Sequence, residues 1–162
     1  MNDKVVSMRS RLLIAAAVLA ETVLLSGCGL TSSPADSLSF KAPKGWQAFP
    51  GIMGFMQFWK QPGADAVLML FKSPKPIKTT DVFDNADLRD ARIEEQKPVT
   101  ICGNQPAQYF KAAGRSKTGH DSDIEMMMSN VSGQTYMAMY VYPVGTQADA
   151  GAEAALRELC TK

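Results

Sequence analysis

The clearest pattern in the chain lies near its C-terminal end, where Ile124 to Val131 and Gln134 to Tyr142 meet across Ser132-Gly133. Both runs are rich in Met, Val, Ile and Tyr, and two such runs flanking a short Gly-containing turn predict a β-hairpin. With that turn setting the register, Met128 opposes Met137, Met126 opposes Met139 and Ile124 opposes Val141, so that all six share one face. The other face then carries Glu125, Met127, Tyr136, Ala138 and Tyr140. Directly afterwards the period lengthens: Ala148, Ala152, Ala155, Leu156, Leu159 and Cys160 trace one stripe at helical spacing. Thr146 and Asp149 suit a capping box with Asp in place of Glu. A helix so placed is expected to cover the methionine face.

Upstream the signals are shorter. Leu38, Phe40 and Ala42 alternate with polar residues up to Pro43 and Gly45, the period of a half-buried strand. Phe55 to Lys60 and Ala66 to Lys72 read as a hairpin around Gln61-Pro62-Gly63-Ala64-Asp65. After the proline-rich residues 73–78, Thr79-Thr80-Asp81 offers N-cap oxygens for a helix to about Gln96, with Val82, Phe83, Ala86 and Ile93 inward. Val99 to Cys102 and Ala107 to Ala113 form a further strand pair joined through Gly103-Asn104-Gln105-Pro106. The fold class is therefore α+β, an antiparallel sheet of about six or seven strands with two covering helices.

The first 27 residues follow a different logic. Lys4, Arg9 and Arg11 precede an apolar run from Leu12 to Leu25, the order of a secretory signal and too short to span a bilayer comfortably. Glu21 inside the run departs from that pattern, and Met8 offers a second in-frame start. Leu25-Ser26-Gly27-Cys28 resembles the lipobox of bacterial lipoprotein precursors, in which the cysteine is acylated and becomes the mature N-terminus. The resemblance implies lipidation of Cys28; the alternative is a cysteine in an ordinary apolar helix. Residues 28–37, small, polar and proline-containing, then read as a lipidated flexible tether, and residues 38–162 as a single domain.

Composition narrows the function classes. Taking Lys4, Arg9 and Arg11 from 17 basic residues, and Asp3 and Glu21 from 16 acidic ones, leaves a neutral mature chain. A neutral chain without a dense Lys/Arg stripe has no field to gather phosphates, which disfavours nucleic-acid partners. With Cys28 assigned to lipid, Cys102 and Cys160 remain as one pair. An oxidising envelope allows a disulfide between them; two separate buried thiols, or a metal pair without CxxC spacing, are the alternatives.

No motif dictates a chemistry: GxSxG, SxxK, HExxH, CxxC and phosphate loops are all absent from the sequence. Asp84, Asp87, Asp90 and Glu94 at helical spacing read as a solvated face rather than a cation site. The sole histidine, His120, sits between polar residues beside Asp121 and Asp123, a loop position in solvent that becomes catalytic only beside a nucleophile. Met126, Met128, Met137 and Met139 offer four thioethers that suit Cu(I), although methionine is equally an adaptable core filler. Trp46, Phe49, Met53, Phe55 and Trp59 exceed what one strand buries inward, which marks them as a partner surface or as core.

The element order, Phe40-Lys41-Ala42-Pro43-Lys44-Gly45-Trp46, the Gly103-Asn104-Gln105-Pro106-Ala107 step and the last hairpin with its helix resemble the PsbP-like fold. That fold is shared by the photosystem II oxygen-evolving subunit P, a Ran-GTPase-binding protein and small bacterial lipoproteins of the DcrB and LpqN types. The resemblance implies an α/β/α sandwich and a noncatalytic binding or assembly role. The expectation is thus a lipid-anchored envelope module that binds another envelope protein and needs no cofactor; the alternative is a small-ligand or Cu(I) carrier, with an enzyme third. Gly29, where enteric inner-membrane lipoproteins carry aspartate, favours the periplasmic face of the outer membrane over the outer face of the cytoplasmic membrane.

Overall fold

Seven strands make one antiparallel sheet in the order β1-β2-β3-β7-β6-β5-β4. They are β1 (Gln47–Phe49), β2 (Met56–Lys60), β3 (Val67–Ser73), β4 (Leu88–Ile101), β5 (Gln105–Ser116), β6 (Asp121–Val131) and β7 (Gln134–Pro143). A 3-10 turn, Pro34–Ser37, precedes them, and α1 (Ala150–Arg157) follows. This computed structural model describes residues 33–162 save 52–54, 80, 83–87 and 117–118, and the side chains at 88, 89 and 116 also fall outside it. The expected leader, Cys28 and Met53 lie outside the described residues. Thr31–Lys162 forms a single compact unit.

The β6–β7 hairpin has the register its sequence specifies, with Met128 opposite Met137, Met126 opposite Met139 and Ile124 opposite Val141. Its two turn residues, Ser132 and Gly133, both have positive φ (51° and 77°), the conformation that matches the twist of a two-residue hairpin. Because β3 pairs with β7 and β5 with β6, this hairpin is the centre of the sheet. Each of its faces therefore lies over a core. On the front, Met127, Tyr136, Ala138, Tyr140 and Tyr142 pack with Leu68, Leu70 and Trp59 under Leu38, Phe40 and the helical Ala152, Ala155, Leu156 and Leu159. On the back, Ile124, Met126, Met128 and Met139 pack with Phe110 and Ala112.

Several expectations are corrected. The helix placed from Thr79 to Gln96 gives way: Thr79, Asp81 and Val82 have helical backbone, but from Leu88 the chain is strand β4. β4 is an edge strand whose charges pair along its own length, Arg92 with Glu94 at 3.3 Å and Lys97 with Glu95 at 2.6 Å. It is exposed from Arg92 to Pro98, so its side chains carry no period of two and resemble a solvated helix. Among the described residues α1 is the one fully defined helix, in place of two covering helices.

The strand expected at Leu38 to Ala42 does not join the sheet. Leu38 and Phe40 are buried as their alternation implies, yet this segment lies over the front layer and pairs only with the C-terminal tail, through a bridge from Leu38 to Thr161. The seventh strand is instead β1. Of the residues expected as a tether, 28–32 lie outside the described residues, and 33–37 are structured: Ser33 caps a turn in which Pro34 is buried. Asp149 rather than Thr146 caps α1, accepting the Ala152 N–H at 2.9 Å. Finally, α1 covers the tyrosine face of the hairpin and not the methionine face.

Candidate functional site

Cross-strand register assembles a continuous row on the back of the sheet that no single segment announces. Phe49 of β1 opposes Phe58 of β2, which opposes Met69 of β3; the row continues through Met139, Met126 and Phe110 to Gln96 at the far edge. A parallel row runs Met56, Phe71, Met137, Met128, Gln108 and Pro98. Burial falls along the first row. Phe110 and Met126 are fully buried, with Val82 and Ala91 packed against their cluster, whereas Met69 and Phe58 are half-buried and Phe49 is 46% exposed. Among the described residues the apolar face is thus covered at its β5–β6 end and more exposed at its β1–β2 end.

The five residues expected as a partner surface divide accordingly. Trp59 is buried on the front against Phe40, ring centroids 5.3 Å apart, and Trp46 meets the edge of Tyr140 at 5.9 Å. Both serve the core. Phe49 and Phe55 are the exposed members, at 46% and 49%. The methionine quartet comes together on one face, with Met126, Met128 and Met139 buried and Met137 half-buried among Phe110, Ala112 and Ile124. That packing is what a hydrophobic core requires.

The two sheet edges differ in chemistry. β4 bears register shifts between Arg89 and Arg92 and between Ile93 and Glu95, together with charges and Pro98. Bulges, charges and proline are how a sheet edge is kept from pairing with another chain. β1, Gln-Ala-Phe, has none of them and is exposed at all three positions. Among the described residues no strand pairs with its outer side.

The front face holds a polar cluster that the sequence did not single out. Glu125, 7% exposed, accepts hydrogen bonds from the Tyr109 hydroxyl at 3.0 Å and the Tyr142 hydroxyl at 3.2 Å. Tyr142 stacks on Tyr140 with centroids 4.6 Å apart, and the Tyr140 hydroxyl accepts the Asp149 N–H at the start of α1. Burial first, then the neighbouring Glu125 carboxylate, pushes both Tyr109 and Tyr142 well above the ordinary phenol range. Both therefore remain neutral donors at physiological pH, joining a buried carboxylate to the seat of α1. Only long-range pairing brings Tyr109 to Glu125, and the alternation within β6 gave the one available hint, a glutamate on an otherwise apolar face.

His120 is exposed in the β5–β6 connection. Beside it, the Arg115 guanidinium donates to Asp121 at 2.7 Å and holds that carboxyl below the usual range. Asp121 and Asp123 both belong to β6, the first exposed and the second half-buried, while His120 lies in the connection before it. Among the described residues no group of three or more His, Cys, Asp or Glu side chains is placed to hold a metal. The Cys102 and Cys160 sulfurs stand at disulfide distance, with Cα atoms 5.7 Å apart. Open depressions lie beside Pro98, Pro106 and Met128, of about 510 Å³, and beside Phe40, Glu158 and Cys160, of about 550 Å³.

Neither a family model nor a curated protein matches the sequence. Among solved structures, one from Bacteroides thetaiotaomicron is similar with a TM-score of 0.52 and 14% identity, over 82% of this chain and 46% of that one. The chain thus spans less than half the length of that protein. A Pseudomonas aeruginosa protein of unknown function is similar with a TM-score of 0.45 and 13% identity, over 63% of this chain and 74% of that one. The Bacteroides likeness concerns the fold alone: a mixed α+β domain dominated by an antiparallel sheet.

Proposed function

We propose that this chain is a lipid-anchored bacterial envelope protein, at the periplasmic face of the outer membrane, whose domain binds another envelope protein without turnover. The Leu25-Ser26-Gly27-Cys28 sequence supports the address, and the pairing of Cys102 with Cys160 suits an oxidising compartment. The noncatalytic role rests on the absence of catalytic motifs from the sequence and on the PsbP-like resemblance. The observation that carries the binding role is the fall in burial from Phe110 to Phe49 along one apolar row that ends on a short edge strand without charge, bulge or proline. An extended partner segment that pairs with the outer side of β1 gains main-chain hydrogen bonds, and its alternate side chains cover Phe49 and Phe58.

A photo-crosslinking residue at Phe49 in living cells tests this, with Arg92 on the opposite edge as control. The expected result is a discrete envelope-protein adduct from position 49 that Cys28→Ser abolishes. No adduct, or the same adducts from both positions, contradicts it.

A further inference from the structure

The described chain begins by fastening itself to the sheet. The Ser33 hydroxyl donates to the Gln57 side-chain oxygen at 2.5 Å, the Ser33 N–H donates to Asp36 at 2.8 Å, and Pro34 is buried. Gln57 lies in β2, and Phe55, two positions earlier, occupies the turn that leads into that strand. The Phe55 carbonyl accepts the Lys72 N–H at 2.9 Å, and the Lys72 ammonium in turn donates to Ser37 at 3.4 Å. One corner of the domain therefore gathers the incoming chain, the exposed Phe55 ring and Lys72.

Cys28 precedes Ser33 by five positions, and five residues reach at most about 18 Å when fully extended. A domain of this size has a radius of gyration of roughly 14 Å, so such a tether is shorter than the domain is wide. An acyl chain on Cys28 thus selects which side of the domain meets the bilayer. Lys75 and Lys78 are exposed just beyond β3, and from Ser33 to Thr79 the sequence holds six lysines against two aspartates. The acidic groups at this corner are Asp36, which accepts the Ser33 N–H, and Asp81; Asp84 and Asp87 lie outside the described residues.

We infer that this corner is a membrane-seating surface: Phe55 enters the interfacial layer of a phospholipid bilayer, and Lys75 and Lys78 face its anionic headgroups. The inference rests on acylation of Cys28. An aromatic side chain at headgroup level and basic residues within a Debye length of an anionic surface are both favourable there. The seating leaves the outer side of β1 open to a partner strand.

The test uses the full acylated chain, its acylation verified by intact mass, in vesicles of phosphatidylglycerol and phosphatidylethanolamine with brominated acyl chains. Tryptophan emission is compared with that of the parent, which already contains Trp46 and Trp59. Emission added by Phe55→Trp is expected to be quenched, that added by Ile93→Trp on β4 to persist, and Lys75→Glu with Lys78→Glu to restore the Phe55→Trp signal. An acylated chain whose Phe55→Trp emission is unquenched, or quenched no more than that of Ile93→Trp, overturns the seating alone. Quenching unchanged by the lysine substitutions overturns the part played by headgroup charge. A mass without acyl chains overturns the anchored reading and the seating with it.

Discussion

Gln105 holds Thr161 twice, its side-chain oxygen accepting both the Thr161 N–H and the Thr161 hydroxyl at 3.1 Å. The same side chain donates to the Leu159 carbonyl at 3.0 Å and to Ser129 at 2.9 Å, within a buried site. The Cys102–Cys160 pair stands beside it, so the tail after α1 is fixed to the β4–β5 turn by two independent devices. Gln105→Leu strands several of these groups, and unsatisfied buried polar groups cost about 1–3 kcal/mol. Chemical denaturation is expected to show a loss of that order, and a change below about 0.5 kcal/mol, the usual scatter of neutral surface substitutions, contradicts the clamp.

The disulfide is expected to add more. Its sequence separation is 58, and closing a loop of that length removes unfolded-state entropy equivalent to about 4 kcal/mol in the chain model. Cys102→Ser with Cys160→Ser, compared with the oxidised parent in urea, reads this directly. Equal midpoints for the two proteins contradict it.

Met126 and Met139 are paired neighbours in a buried apolar core, so shape and apolarity are what the site demands. Met126→Leu with Met139→Leu conserves volume and is expected to cost less than about 1.5 kcal/mol. Met126→Ala opens a cavity and is expected to cost about 2–5 kcal/mol. Copper titration of the parent and the double leucine variant is the accompanying check. Tight Cu(I) binding by the parent that the double variant loses establishes the carrier reading instead.

Alkaline pH is expected to destabilise the domain through Tyr109 and Tyr142. Both phenols are raised in the folded state, mainly by burial and secondly by Glu125, from an unfolded value near 10. Above about pH 10 the unfolded chain releases these protons while the folded chain retains them, so stability is complete below that pH and falls as pH rises beyond it. Tyr142→Phe is expected to flatten this alkaline slope, and it also removes one donor to Glu125, lowering stability at neutral pH by about 1–3 kcal/mol. An unchanged slope above pH 10 contradicts the cluster's coupling.

What the sequence made legible follows the range of the interactions. The β6–β7 register was readable because a two-residue turn couples the strands and Met, Ile and Val alternate with the other face. Of β4 only the end, Val99 to Ile101, was readable as a strand paired with β5, and the stretch from Leu88 to Pro98 was not. An edge strand exposed on both faces buries too little to imprint a period, and Arg, Glu, Gln and Lys favour helix when considered alone. Leu38 and Phe40 gave the right burial but the wrong partner, since pairing with residue 161 lies beyond any local pattern. The same limit hid the row from Phe49 to Phe110 and the approach of Tyr109 to Glu125. Trp59 was left open between surface and core because its cover, Phe40, arrives from a separate segment.

Intact mass of the protein isolated from membranes, with and without reduction before alkylation and beside Cys28→Ser, tests the envelope assignment most directly. The expected species begins at Cys28, carries acyl chains, and alkylates at Cys102 and Cys160 only after reduction. A full-length, unacylated chain whose two cysteines alkylate without reductant contradicts it.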